Sequence, residues 1–188
     1  GEFTTKQIAK IRIEDLLGRK PIILDEEKIS AELEGRIILV TGAAGSIGSG
    51  MVRQIAKYQP ELLILLDQAE SPLYELQNEL LYNFPNLNFE VVIGDIRVKE
   101  RMNRLFDHFK PEFVFHAAAY KHVPLMEDNP SEAIFTNIKG TKNLVDLSID
   151  YKVNKFVMIS TDKAVNPTNV MGASKRIAEI YAQSRNSS

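Results

Sequence analysis

Three side chains that can transfer protons follow one another near the end of the chain: Thr161, Asp162 and Lys163. A hydroxyl, a carboxylate and an amine together can hydrogen-bond a reacting oxygen, donate a proton and accept one. Lys175 follows Met171 by one helical turn, and the thioether of Met171 cannot exchange a proton near neutral pH. The pattern therefore favours acid–base catalysis by residues 161–163. A solvated ion pair in a loop is the alternative for Asp162 and Lys163.

A glycine-rich turn follows the apolar run at residues 37–41 and leads into a helical pattern. Glycines in such a turn let the backbone approach a pyrophosphate, and the helix N-terminus offers N–H groups to the anion. The pattern predicts a dinucleotide site, with a purely structural turn as the alternative. The residues assigned to the site are Gly42, Ala44, Gly45, Ser46, Ile47 and Gly48.

Acidic residues stand at or just after the ends of the next two apolar runs, where they could bind the adenosine part of the same dinucleotide. Asp67 can accept hydrogen bonds from the adenosine ribose, and Gln68 follows it in the predicted site. Because Asp67 would repel a 2′-phosphate and no arginine directly follows it, NAD is favoured over NADP. Asp95 is predicted to bind the adenine edge and Ile96 to cover the base, with helix capping as the alternative for Asp95.

Small residues and then polar ones follow the fourth predicted strand. The alanines would let the backbone approach a ribose, although ordinary packing explains each alone equally well. The polar residues should face the same cleft, because ligands of open parallel sheets bind beyond the carboxyl ends of the strands. For them, contact with substrate and a structural role both stay open. The alanines are Ala117, Ala118 and Ala119, and the polar residues are Tyr120, Lys121 and His122.

Two buried polar residues are also predicted. Asn137 lies within a helical pattern, where its amide is unfavourable, so we expect a bond to neighbouring backbone, with an exposed side chain as the alternative. His116 ends an apolar strand and should be buried and hydrogen-bonded, whereas His108 should lie on a helix surface. The histidines lack metal-ligand spacing, so no metal site is predicted.

Short β-rich runs alternate with amphipathic stretches from residue 36 onward. This alternation predicts an α/β fold: a doubly wound parallel sheet of Rossmann type, covered by helices on both faces. The predicted strands are Ile37 to Thr41, Leu62 to Leu66, Phe89 to Ile93, Phe113 to His116 and Phe156 to Ile159. The predicted helices are Ile47 to Tyr58, Pro72 to Asn83, Lys99 to Phe109, Ser131 to Tyr151 and one from about Val170.

Length and composition bound the architecture and the partners. With 188 residues, 44% of them hydrophobic, one domain is expected: residues 1–34 as an N-terminal appendage or linker and 35–188 as a dinucleotide-binding catalytic core. A net charge of -2 without a basic block indicates no nucleic-acid partner and no membrane contact. The chain has no cysteine, no signal peptide and no apolar run near the roughly 18 residues of a membrane span. A soluble segment is therefore expected, and the lack of cysteine fits a reducing compartment.

Motifs spread over most of the chain resemble the extended short-chain dehydrogenase superfamily. More narrowly, they are similar to the nucleotide-sugar 4,6-dehydratases of bacterial polysaccharide biosynthesis, and to the large branch in which transmembrane helices precede a cytoplasmic catalytic domain. Ordinary members of the superfamily have tyrosine where Met171 stands, and this family usually has glutamate where Gly50 stands. The motifs are TGAAGSIGS, LLDQAESPLYELQ, GDIR, HAAAYKHVPLME, TNIKGT and STDKAVNPTNVMGASKR.

The resemblance implies NAD-dependent conversion of a UDP-sugar, such as UDP-N-acetylglucosamine, to a 4-keto-6-deoxy sugar. Carbon 4 is oxidised, water is lost across carbons 5 and 6, and carbon 6 is reduced. The family pattern assigns Lys163 as the base at carbon 5 and Asp162 as the acid for the departing hydroxyl. Thr161 would bind the oxygen on carbon 4, and Lys175 the nicotinamide ribose. A lysine base must be substantially neutral, through desolvation or the nearby charge of Lys175.

Two other functions stay open. A nucleotide-sugar epimerase shares the oxidation at carbon 4, although Met171 argues against it because an ordinary epimerase relies on the tyrosine. The chain could also be a cofactor-binding module without turnover, since the C-terminal region expected to hold the uridine nucleotide is absent. The sugar, the configuration produced at carbon 5 and homo-oligomer formation are not determined by the sequence.

Overall fold

The computed structural model describes residues 25–186, and its core is a sheet of five parallel strands. The order across the sheet is β3-β2-β1-β4-β5, which confirms the predicted α/β class and the doubly wound, Rossmann-type sheet. Ligands of such sheets bind outside the carboxyl ends of the strands where the strand order reverses, here beside β1 and β4. The strands are β1 (Ile37–Thr41), β2 (Leu62–Asp67), β3 (Phe89–Ile93), β4 (Phe113–His116) and β5 (Lys155–Met158).

Helices connect the strands and cover both faces of the sheet. They are α1 (Glu26–Leu33), α2 (Ser46–Ala56), α3 (Glu70–Asn83), α4 (Lys99–Phe109), α5 (Val123–Asp128), α6 (Pro130–Ala133), α7 (Thr141–Asp150) and α8 (Val170–Ser184). A π-helical segment, Ile134–Gly140, joins α6 to α7 without a break, because the junction residues keep helical backbone angles. A short 3₁₀-helix, Asp162–Ala164, lies between β5 and α8.

Alternate side chains of the central strands are buried on opposite faces of the sheet. Ile38 and Val40 of β1 pack with α2 and α3 on one face, and Leu39 packs with α4 and α7 on the other. Two covered faces explain why the strands are continuous apolar runs rather than alternating ones. Each fully buried side chain of this size contributes roughly 1.5–3 kcal/mol. The strand ends that carry the site are therefore firmly held.

Most predicted boundaries agree with the structure to within two residues. β5 begins at Lys155, one residue early, and ends before Ile159. The prediction of one α-helix over Ser131 to Tyr151 was wrong in its interior, where the π-helical segment intervenes. A single wide turn barely shifts the apolar spacing, so the sequence pattern does not reveal it. Helix α5 was not predicted, because it is too short to show a periodic pattern.

The N-terminal part of the described range packs on the core. Leu33 at the end of helix α1 joins the core beside β1. Residues 1–24 of the predicted appendage lie outside the described residues, and the boundary at residue 34 stays a prediction. Within residues 25–186, no helix is both long and apolar enough to cross a membrane. The same range contains no group of acidic and histidine side chains arranged for a metal ion.

Candidate cofactor and active site

A cavity of about 230 Å³ opens at the carboxyl ends of β1, β2, β3 and β4. It brings together residues that are far apart in sequence and that were predicted to contact one cofactor. Predicted cofactor residues on its wall are Gly42, Ala44, Gly45, Asp67, Gln68, Asp95, Ile96, Ala117, Ala118 and Ala119. Ser46, Ile47 and Gly48 form the first turn of α2 beside it rather than its wall.

The glycines of the turn are required by close backbone contacts. Gly42 has a positive φ of 70°, and a Cβ there would lie 2.5 Å from the backbone nitrogen of Ala118. A Cβ at Gly48 would overlap the carbonyl group of Gly42. Gly45 precedes α2, and no side chain of the described residues caps that helix. The N–H groups of its first turn can therefore receive an anion such as a pyrophosphate.

Asp67 is fixed at the cavity wall by backbone hydrogen bonds. Its Oδ2 accepts from the Ala44 nitrogen at 2.9 Å, and its Oδ1 accepts from the Ala69 nitrogen at 3.0 Å. Each carboxylate oxygen can accept a second hydrogen bond. The same carboxylate thus ties β2 to the glycine turn and keeps acceptor positions for the hydroxyls of a ribose.

Asp95 and Ile96 lie at the end of the cavity next to β3. Asp95 does not cap a helix, because α4 begins after Val98, so the capping interpretation was wrong. Its carboxylate is bound by Arg97 instead. Ile96 is almost fully buried and packs against Gly140, where a Cβ would lie 2.5 Å from the Ile96 Cδ1. Gly140 therefore leaves room for Ile96 on the cavity wall.

The predicted bond between Asn137 and neighbouring backbone is confirmed. Its Oδ1 accepts from the Tyr120 nitrogen at 2.9 Å, and its Nδ2 donates to the Tyr120 oxygen at 3.0 Å and to the Ser174 Oγ at 2.9 Å. Asn137 thus joins the loop after β4 to helix α8. Tyr120 lines the cavity, whereas Lys121 and His122 are exposed beyond its wall.

Thr136 was not predicted as a site residue, yet it lines the cavity. It is 6% exposed, and its Oγ1 has no hydrogen-bond partner among the described residues. A buried hydroxyl without a partner is costly, so this atom fits a polar group of a bound molecule. The sequence gives no signal of this, because threonine in a helix usually bonds the preceding turn. The Thr136 hydroxyl and the uncapped first turn of α2 both fit a dinucleotide.

A chain of buried hydrogen bonds crosses the sheet beneath the cavity. The Thr141 hydroxyl donates to the Asn137 oxygen at 2.7 Å, so it can only accept from the His116 Nε2 at 2.9 Å. The Nδ1 of His116 then accepts from the Thr41 hydroxyl at 2.7 Å. Burial lowers the pKa of His116 to about 3, and the charge of Lys175 adds to the effect. The prediction that His116 is buried and hydrogen-bonded is confirmed, as is the exposed position of His108.

The neutral His116 makes stability depend on pH. The unfolded chain takes up a proton near pH 6.5 and the folded chain only near pH 3, so this stabilisation is complete above 6.5 and is lost as the pH falls. Between pH 7 and 5, His116 should account for about 2 kcal/mol of the fall in unfolding free energy. In urea denaturation, the unfolding free energy of His116→Gln should fall by about 2 kcal/mol less over this pH range than that of the unaltered protein. His108→Gln should behave as the unaltered protein. Equal pH dependence in all three proteins would contradict the assignment.

Thr161, Asp162 and Lys163 form an exposed turn at the start of the 3₁₀-helix. The Thr161 hydroxyl donates to Asp162 Oδ1 at 3.0 Å, and the Lys163 ammonium lies 3.6 Å from the same oxygen. The Asp162 side chain is 90% exposed and that of Lys163 is 51% exposed, so the desolvation expected of Lys163 is not seen. Hydrogen bonding by Thr161 and the charge of Lys163 lower the pKa of Asp162. Gly172 lets α8 approach this turn, because a Cβ there would overlap the Lys163 carbonyl oxygen.

Lys175, also predicted to bind the cofactor, is buried in α8 and does not line the cavity. It is 6% exposed, and its ammonium donates to the Ile159 oxygen at 2.8 Å. Burial lowers the pKa of Lys175 to about 8, although Glu179 acts to raise it. One turn earlier, Met171 is 2% exposed and packs with Met126 and Ala133. Met171 thus fills a packing position and has no group that could exchange a proton.

The parallel sheet, the glycine turn and the cavity at the strand ends define a Rossmann-type α/β domain. Residues 38–188 match the family model described as polysaccharide biosynthesis protein. The chain belongs to this family.

Known relatives agree with the family and extend well beyond this chain. The capsular polysaccharide biosynthesis protein CapD of Staphylococcus aureus is 52% identical over 99% of the chain and 31% of its own length. A UDP-N-acetylglucosamine 4,6-dehydratase (inverting) of Campylobacter jejuni is 40% identical over 73% of the chain and 40% of its own length. The structure of a UDP-glucose 4-epimerase from Thermotoga maritima is 30% identical, with a TM-score of 0.69 over 80% of this chain and 51% of that one. The chain thus spans less than half of these two curated relatives.

Proposed function

We propose that the whole protein is an NAD-dependent nucleotide-sugar 4,6-dehydratase in bacterial polysaccharide biosynthesis, acting on UDP-N-acetylglucosamine or a similar UDP-sugar. The observation that carries the proposal is the burial of Met171, one turn before Lys175 on α8, in a cluster with Met126. Because that position has no proton-transferring group, we assign the proton transfers to residues 161–163, whose turn adjoins α8 at Gly172. The similarity to the Campylobacter jejuni dehydratase supports the same reaction.

The cavity supports a dinucleotide as the cofactor. The pyrophosphate would lie at the first turn of α2, the adenosine ribose at Asp67 and a further polar group at the Thr136 hydroxyl. NAD is favoured over NADP because the Asp67 carboxylate would repel a 2′-phosphate. When bound, NAD would take up a hydride from sugar carbon 4 and return it to carbon 6.

The residues of the 3₁₀ turn and α8 would handle the protons. Thr161 would bind the oxygen on carbon 4, Lys163 would remove the proton at carbon 5, and Asp162 would protonate the departing hydroxyl. Lys175 would bind the nicotinamide ribose, and with a pKa of about 8 it can hold or release a proton near neutral pH. Tyr120, at the cavity wall, and the exposed Lys121 and His122 are the substrate contacts proposed within this chain.

The uridine nucleotide would bind mostly to parts of the protein beyond this chain, which spans 31% of the length of CapD. This division fits the exposure of Asp162 and Lys163, since a substrate domain could cover them. From the resemblance to the large dehydratase branch, in which transmembrane helices precede a cytoplasmic catalytic domain, we place these residues in the cytoplasm, with a membrane anchor upstream. A homo-oligomer is compatible with the proposal but is not required by it.

An epimerase is the second candidate. It is favoured by the similarity to the Thermotoga maritima epimerase, whose overall fold this domain shares. An epimerase would oxidise carbon 4 and reduce the same carbon again without loss of water. The buried Met171 argues against it, because the side chain cannot exchange a proton with the hydroxyl on carbon 4.

Mass spectrometry of the sugar product tests the proposal. The whole protein, incubated with UDP-N-acetylglucosamine and NAD, should produce a UDP-sugar lighter by one water. The 188-residue chain should bind NAD but dehydrate the sugar poorly or not at all, because most contacts with the nucleotide are missing. A 4-epimer of unchanged mass from the whole protein would favour the epimerase. Efficient dehydration by the 188-residue chain would contradict the proposed location of the substrate site.

A further inference from the structure

Arg97 bridges two carboxylates at the end of the cavity next to β3. Its backbone nitrogen donates to Asp95 Oδ1 at 2.8 Å, and its Nε donates to Asp95 Oδ2 at 2.7 Å. Its Nη2 forms a salt bridge with the same Oδ2, also at 2.7 Å. Its Nη1 donates to the Glu132 Oε2, also at 2.7 Å. The guanidinium therefore fixes the rotation of the Asp95 carboxylate from one side and is itself fixed by Glu132 at the start of the helix that leads to Thr136.

The hydrogen bonds leave acceptor positions on Asp95. A carboxylate oxygen can accept about two hydrogen bonds. Oδ1 and Oδ2 each accept one from Arg97, and the guanidinium lies against Oδ2, so the free position on Oδ1 is the more open one. Although burial acts to raise the pKa of Asp95, the hydrogen bonds and charge of Arg97 outweigh it and lower that pKa. Asp95 is thus ionised near neutral pH and can only accept, so it favours a ligand that donates.

The strand order indicates which part of a ligand meets Asp95. The glycine turn follows β1, Asp67 is the last residue of β2, and Asp95 follows β3 at the edge of the sheet. In the proposed binding mode, on which this inference rests, the pyrophosphate and ribose occupy the first two positions. The purine base therefore reaches the third, with Ile96 beside it on the cavity wall.

We propose that Arg97 is a positioning residue for selection of the base: it holds Asp95 so that the cavity accepts a purine with a 6-amino group and rejects one with a 6-oxo group. A 6-amino group donates a hydrogen bond to the free position on Oδ1. A 6-oxo group has only lone pairs to offer and would face the carboxylate. Glu132 contributes to the same selection of the base, because its carboxylate binds the Arg97 guanidinium through Nη1.

A second set of contacts argues against a purely structural role of Arg97, because these contacts hold the loop without its side chain. The Asn143 Nδ2 donates to the backbone oxygens of Ile96 at 3.0 Å and Arg97 at 3.2 Å. Asn143 is buried and holds the backbone of this loop without help from the guanidinium. Removing the guanidinium should therefore loosen the Asp95 carboxylate, which keeps only the bond from the Arg97 backbone nitrogen, while the loop keeps its path.

The experiment compares NAD with nicotinamide hypoxanthine dinucleotide, in which a 6-oxo group replaces the 6-amino group and N1 carries a proton. Titration calorimetry on the 188-residue chain should give about 10- to 100-fold tighter binding of NAD, since the lost hydrogen bond involves a charged acceptor. In Arg97→Gln this ratio should fall to about threefold or less, because the loosened carboxylate can turn away from the base. Glu132→Gln should lower the ratio in the same direction but by a smaller factor.

The control is Arg101→Gln, which removes a nearby positive charge that contacts the Ile93 oxygen and not Asp95. It should keep the full ratio. Because both ligands are titrated into one preparation, partial unfolding of a variant cancels in the ratio. An unchanged ratio in Arg97→Gln, or no preference in the unaltered protein that binds NAD, would overturn the inference alone. Failure of the unaltered protein to bind either dinucleotide would overturn the proposed cofactor, and the inference with it.

Discussion

Replacing Lys163 with Met in the whole protein should reduce sugar dehydration by about 10²- to 10⁴-fold, the usual effect of losing a positioned proton-transfer group. NAD binding should be nearly unchanged. The Lys163 side chain is half-exposed and does not line the cavity, and the contact of its turn with Gly172 is made by backbone. The variant should therefore fold normally. The rate is measured as loss of water by mass spectrometry, with NAD affinity determined by calorimetry.

Solvent exchange at carbon 5 separates the role of Lys163 as a base from other roles. In heavy water, the unaltered protein should introduce deuterium at carbon 5, and Lys163→Met should not. Lys57→Met is the matched control, because Lys57 is an exposed lysine at the end of α2, away from the cavity. Near-normal dehydration by Lys163→Met would eliminate Lys163 as the base. Loss of water formation with unchanged deuterium exchange would assign Lys163 to a later step.

The fold could be predicted because its core is simple in physical terms. Strands covered on both faces become continuous apolar runs, such as Leu62 to Leu66, and helices covered on one face show periodic apolar positions. Interruptions of regular geometry could not be predicted. The π-helical segment keeps nearly the same apolar spacing as an α-helix. It is nevertheless the segment that carries Thr136, Asn137 and Gly140 into the site.

The candidate site was predictable where it follows from topology. Parallel strands bring their carboxyl ends to one edge, so Gly42, Asp67 and Asp95 had to meet once the strands were recognised. Thr136 and Arg97 were missed because their significance lies in distant contacts. An unpaired hydroxyl, or a guanidinium between two carboxylates, appears only when helix and loop are placed side by side.

The chemistry of the two lysines shows the same limit. A base role for Lys163 required desolvation or the nearby charge of Lys175, yet the buried lysine is Lys175, whose ammonium bonds the Ile159 oxygen. Burial depends on which elements cover a residue. Lys163 lies in the loop after β5, the edge strand of the sheet, and no further strand lies beyond β5 within residues 25–186. Lys175 lies on α8, which packs against the rest of the domain.

Replacing Gly48 with Ala should damage both the fold and the cofactor site. A Cβ at this position would overlap the Gly42 carbonyl group, with its carbon only 2.7 Å away. Backbone cannot move aside as a flexible side chain can, so α2 must shift away from the glycine turn. Overpacking of this kind costs about 1–3 kcal/mol, and it should also displace the N–H groups that would receive the pyrophosphate. Urea denaturation and NAD titration measure the two effects.

Gly50→Ala is the matched control, since Gly50 lies two residues later on the same helix and has nothing within 4 Å of the added Cβ. Alanine is favoured over glycine within a helix by about 1 kcal/mol, so this variant should be more stable than the unaltered protein. Its NAD affinity should not change. Opposite effects of one chemical change at two neighbouring positions would locate the cause in the contact with Gly42. If Gly48→Ala kept both stability and NAD affinity, close approach of α2 to the turn would not be what forms the site.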